Sequence, residues 1–126
     1  MKANYNEYGK VAIKAAKATG NPKDNWLKEV QEAFLDSESS QKKSCPKSTF
    51  LGLCKEGLVK GISKGNYTKS IDNTAYAIKA VEIVKQNSQT IFSSKELWEK
   101  LELGDKSHNS QMDVVLALWE NGLIVK

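Results

Sequence analysis

Cys45 and His108 are the residues whose types could do covalent chemistry in this chain. Cys45 opens a helical pattern and has Lys42, Lys43 and Lys47 close by in sequence. Free N–H groups at a helix start and nearby cations lower a thiol pKa and favour the thiolate. A cysteine nucleophile also needs a base, and His108 is the single histidine, followed by Asn109. One reading is therefore a Cys–His pair with a neighbouring amide, the basis of a cysteine-dependent enzyme. The plainer reading makes Cys45 a small, partly buried residue and His108 part of a loop before a helix. Cys54 lies among Phe50, Leu51 and Leu53 and reads as core. Two cysteines and one distant histidine match no zinc spacing. The glycines form no phosphate-cradling loop, so neither metal nor cofactor is expected. Glu99, Glu102 and Asp105 read as solvated surface.

The second kind of chemistry is electrostatic. The chain has 126 residues, with 19 lysines, no arginine and a net charge of +4. Lys42, Lys43, Lys47, Lys55, Lys60, Lys64 and Lys69 fall between residues 39 and 69 against one acid, Glu56. That segment carries +6, which leaves −2 for the rest. A local basic block is the footprint of an anionic partner, either nucleic acid or an acidic protein surface. Its plain alternative is a solvated lysine-rich face. Lysine attracts phosphate as a point charge but reads bases poorly beside arginine. Tyr67 sits in this block and either stacks on a partner or tucks between the halves of the chain. Two helix starts, one with Ser44 and Lys47 and one with Asn109 and Ser110, are candidate anion sites through their N–H groups. Ordinary capping needs the same residue types.

The elements that must position these residues follow from an internal repeat. Ala12-Ile13-Lys14-Ala15 recurs 65 residues later as Ala77-Ile78-Lys79-Ala80. At the same offset Leu51, Leu53, Gly57 and Leu58 recur as Leu116, Leu118, Gly122 and Leu123. Between these anchors each half carries a tryptophan segment, at Trp26 and Trp98. The expected fold is all-α, one domain built from two tandem three-helix units, about 4–62 and 71–126. At most, short β segments follow the third helix of each unit.

Local signals set the expected helices. Tyr8, Val11, Ala12, Ala15 and Ala16 keep helical spacing before Gly20. Asn21-Pro22 reads as N-cap and first-turn proline, with Trp26, Leu27, Val30 and Phe34 as the stripe that follows. Residues 36–43 read as loop. Ser44 or Cys45 is expected to cap the third helix, which ends at Gly57. In the second unit Asp72 or Asn73 starts a helix, and Ser93 with Glu96 forms a capping box. Asn109 caps the last helix, with Met112, Val115, Leu116 and Trp119 inward and Ser110, Gln111, Asp113 and Glu120 outward. The three tryptophans read as core.

A capped second helix, a third helix and a Gly-Leu-Val or Gly-Leu-Ile ending resemble winged-helix and helix-turn-helix units. That resemblance implies a third helix facing DNA and a wing hairpin over Leu58–Ile62 and Tyr67–Lys69. Across nearly its whole length the chain also resembles a small bacterial family of unknown function. Cys45-Pro46-Lys47, Phe50-Leu51-Gly52-Leu53-Cys54, Gly57-Leu58-Val59-Lys60-Gly61-Ile62 and His108-Asn109-Ser110-Gln111-Met112-Asp113 carry that likeness, which implies no activity.

No apolar run reaches the ~20 residues of a membrane span, and the N-terminus has no signal-peptide core. With two cysteines this predicts a cytoplasmic protein with free thiols. The expected function is non-catalytic binding through segment 39–69, with Lys42, Lys43, Lys47, Lys60, Lys64, Tyr67 and Lys69 as contacts. The alternatives are the Cys45–His108 enzyme and a protein-interaction regulator or inhibitor without a nucleic-acid role.

Overall fold

The computed structural model describes residues 5–104 and 106–125. Asp105 and the outer ends of both sequence units, Asn4 and Lys126, lie outside them. The described residues form an all-α protein in the order α1 (Glu7–Lys17), α2 (Pro22–Ala33), α3 (Glu38–Gln41), α4 (Ser44–Lys55), α5 (Ile71–Gln86), α6 (Ser94–Lys100) and α7 (Gln111–Glu120).

The helix starts follow local chemistry where a short polar side chain can reach back. The Asn21 carboxamide accepts from the N–H groups of Lys23 and Asp24, with Pro22 in the first turn. Ser93 and Glu96 exchange both bonds of a capping box. At four other places the structure departs from the sequence expectation. Ser37 caps an extra single turn, α3, within the stretch read as loop. Lys43, without a side-chain cap, precedes α4 in place of Ser44 or Cys45. Ser70 caps α5 one turn before Asn73, and Ser110 rather than Asn109 precedes α7.

α7 is the centre of the molecule. It packs against α1, α4, α5 and α6, and every residue from Gln111 to Leu118 is buried. A helix covered on all sides has no outward face. Gln111 and Asp113, expected outside, are therefore inside, and Ser110 is 9% exposed. α1 runs along α7 on its small residues, and Gly9 marks the closest approach. A Cβ there would lie 2.8 Å from the Asp113 carbonyl oxygen. The start of α1 is tied to α7 by polar bonds. The Asn6 N–H donates to Asp113 Oδ1 at 3.1 Å, and its amide donates to Ser110 Oγ at 3.0 Å.

α4 crosses α5 at Gly52 and Thr74. Trp26 of α2 is fully buried and stacks on Phe50 of α4 with centroids 5.4 Å apart. Leu27, expected in the same stripe, is 37% exposed. Trp98 and Trp119 are partly buried against the core.

The chain leaves α4 and α7 in the same way. Gly57 and Gly122 take left-handed φ of 74° and 70°. The N–H of Leu58 donates to Leu53 O at 3.0 Å, and that of Leu123 to Leu118 O at 2.9 Å. The two following segments then pair with each other. Val59 and Ile124 form an isolated antiparallel bridge, with Lys60 N–H to Leu123 O and Val125 N–H to Leu58 O, both 2.8 Å. This replaces the wing expected over 58–69. Val59 has its bridge partner, Ile124, in the C-terminal segment, and residues 63–70 take no strand or helix structure.

Candidate functional site

Four lysines converge on a groove between α4 and the segment leading into α5. Its walls are Lys23 of α2, then Ser44, Lys47, Ser48, Leu51 and Lys55 of α4, and residues 66–70. The groove has a volume of about 630 Å³, and no carboxylate lines it. Lys47 and Lys55 sit two turns apart on α4, so both ammonium groups reach one side of the helix. Lys69 lines the same groove from the segment that leads into α5. The first turn of α4 opens at the same place without a side-chain cap, which leaves N–H donors near the lysines.

Of the basic residues singled out in the sequence, Lys47 and Lys69 line this groove together with Tyr67. The others do not. Lys42 is exposed and pairs with Glu38 one turn earlier. Lys43 lies over the Tyr8 ring at 5.7 Å. Lys60 follows the Val59 bridge. The Lys64 stem covers Gly57, close enough to exclude a Cβ there. Lys55 counted toward the segment's charge without being singled out, and Lys23 lay outside the segment altogether. An eye on α2 could have found Lys23 only by knowing that α2 and α4 pack together. Tyr67 is partly buried against the core, and its hydroxyl donates to Ser63 O at 2.7 Å.

The starts of α4 and α7 lie near one another. Burial first, then the Lys43 ammonium, lowers the pKa of His108. Burial raises that of Asp113 against the pull of the Asn6 N–H, its own backbone, Ser94 and Lys43. His108 is nevertheless occupied: its Nε2 accepts the Met112 N–H at 3.0 Å. No hydrogen bond joins it to Cys45 among the described residues. Polar groups at the α7 start are engaged within the chain. The Met112 N–H is taken, Asn109 N–H donates to Gln111 Oε1, and Ser110 accepts from Asn6.

Burial pushes the Cys54 thiol up to about 12, so it holds almost no thiolate at neutral pH. Native protein in iodoacetamide should therefore gain at most one adduct by mass, at the partly buried Cys45. Two adducts should form only after denaturation. A second adduct on folded protein would contradict the burial of Cys54.

A second hollow, of about 760 Å³, lies beside α6 and carries the opposite charge, with Glu96, Glu99, Glu102, Thr90, Phe92 and Lys100 around it. Among the described residues no group of three His, Cys, Asp or Glu could hold a metal ion. No described helix is long and apolar enough to cross a membrane.

The fold thus defines a small all-α protein with a central buried helix and a lysine-lined groove at one side. The chain belongs to DUF6979, a family of unknown function, which matches residues 5–125. No curated protein and no solved structure shows a significant match.

Proposed function

We propose that this protein is a non-catalytic binding protein that seats a polyanion, nucleic acid before acidic protein, in the groove of α4. The observation that carries this reading is the convergence of Lys23, Lys47, Lys55 and Lys69 from three chain segments with no carboxylate in the lining. Like charges held together repel one another, and a polyanion relieves that repulsion by displacing counterions. Ser44, Ser48 and Asn66 add polar groups suited to phosphate oxygens.

The mode of binding follows from burial. α4 buries Pro46 and every residue from Thr49 to Cys54, and α7 is buried through most of its length. Neither can enter a major groove, so contact is made with the backbone of the partner and base sequence matters little. A cytoplasmic setting fits the two free cysteines. The descent of both halves from one three-helix unit is part of the same proposal. The matching exits at Gly57 and Gly122, 65 residues apart, favour it.

Fluorescence anisotropy of labelled single-stranded DNA and RNA against salt tests the function. With three or four lysine–phosphate contacts, log K should fall against log salt with a slope of about −2 to −3. Scrambling the sequence should change affinity less than tenfold. K47E/K69E should weaken binding at least tenfold at low salt without moving the urea midpoint. Absence of binding at low salt would end the nucleic-acid reading. Binding to polyglutamate alone would make the partner an acidic protein surface.

A further inference from the structure

We infer that His108 is a proton-operated latch on the loop that enters α7. Three contacts hold that loop, two of them made by His108. Ser110 precedes α7 with a left-handed φ of 71° and offers no side-chain cap. The Met112 N–H instead donates to His108 Nε2 at 3.0 Å. The ring lies against Trp98 of α6 with centroids 5.2 Å apart. The Trp98 indole N–H in turn donates to Lys106 O at 3.1 Å. One tryptophan thus holds the loop at two points, and the histidine closes it onto the helix.

That arrangement needs a neutral ring. With Nε2 accepting, the single ring proton sits on Nδ1. A second proton converts Nε2 from acceptor to donor. The Met112 N–H then loses its partner, and a cation faces the positive end of the helix dipole. The one charge shown to act on the ring works in the same direction. From α4 the group facing His108 is Lys43, which repels an imidazolium, and below Lys43 lies the Tyr8 ring of α1. From α6 the neighbour is the Trp98 indole, which does not titrate. In the first turn of α7, Asp113 is the nearby carboxyl, bound by the Asn6 N–H.

The pH dependence follows from the sign. His108 binds its proton less readily in the folded chain than in the unfolded one. Its contribution to stability is complete above the unfolded value of about 6.5 and is lost as pH falls from there through the lower folded value. Asp113 shifts upward. As its folded-state pKa lies above the unfolded one, it contributes in the opposite sense, favouring the fold as pH falls through that pKa. A histidine-specific control is therefore required. The inference does not depend on what the groove binds.

The protein holds one histidine, so a single Hε1 resonance reports it. The experiment follows that resonance and the Met112 amide exchange, corrected for the intrinsic rate, from pH 7.5 to 5. It compares wild type with H108Q, whose amide oxygen accepts the same bond at every pH. His108 should titrate below 6.5, and Met112 exchange should accelerate at least tenfold across that transition. H108Q should show no such step. The latch is overturned if His108 titrates at or above 6.5, or if the same exchange step with the same midpoint persists in H108Q. If H108Q does not fold, the wild-type titration and Met112 exchange decide alone.

Discussion

Gly52→Val should cost about 3 kcal/mol or more of folding stability, the upper end of what an overpacked interior site loses. In a free helix either alanine or valine would be preferred to glycine, and alanine by about 1 kcal/mol. Position 52 is not free. A Cβ there would stand 2.3 Å from Thr74 Oγ1 and 3.0 Å from the Thr74 Cα, which is backbone of α5. The hydroxyl cannot simply rotate away, because it already donates to Ser70 O at 2.7 Å. α4 and α5 would have to separate at a crossing where both are buried, and the clash outweighs the gain in propensity. Gly52→Ala should therefore destabilise by about 1–2 kcal/mol, the net of overpacking against propensity. Urea unfolding measures both, and Thr74→Ala supplies the second arm of a double-mutant cycle. Removing the hydroxyl should recover part of the loss in Gly52→Ala, giving a coupling above about 0.5 kcal/mol. A Gly52→Ala protein as stable as wild type would mean that the helices do not approach at this point.

Trp26→Ala should be comparably severe, at about 3–5 kcal/mol. Small domains are stable by only about 5–15 kcal/mol, so this variant should be near unfolding at 37 °C. The indole is fully buried against Phe50, and its loss leaves a cavity between α2 and α4. Trp26→Phe should behave differently. The Trp26 indole N–H is buried without a hydrogen-bond partner among the described residues, and an unpaired buried donor costs about 1–3 kcal/mol. Phenylalanine removes that donor and keeps most of the ring. The smaller volume and the removed donor offset each other, and the net change should stay under about 1.5 kcal/mol. Thermal denaturation of the pair separates the two effects. Equal losses in both variants would mean that the indole N–H has a partner.

Much of the helix layout was legible in the sequence, because its signals act over three or four residues. Asn21-Pro22, Ser93 with Glu96, and the glycines at 57 and 122 each perform their local role. The stripe from Tyr8 to Ala16 is buried as its spacing predicts. Some differences are local choices between neighbouring polar side chains, as at Ser37 and Ser70, and the larger ones arise where a local signal met a non-local competitor. Asn109 has the right side chain for a cap, yet Asn6, 104 residues away from Ser110, bonds the Ser110 hydroxyl at the start of α7. The wing had the right composition, but Val59 found a partner 65 residues away.

The candidate site divides along the same line. By itself the sequence determined an all-α chain, all its helices but α3, the caps at Asn21 and Ser93, the glycine exits at 57 and 122, and the excess of lysine in residues 39–69. These depend on residue type and short spacing alone. Only the tertiary structure decided which lysines act together. Packing α2 and the 66–70 segment against α4 gathers Lys23, Lys47, Lys55 and Lys69, while Lys42, Lys43, Lys60 and Lys64 go elsewhere. It also decided that α7 lies at the centre and that His108 closes its first turn. Charge and amphipathicity along a chain are one-dimensional, whereas exposure depends on which faces distant helices cover.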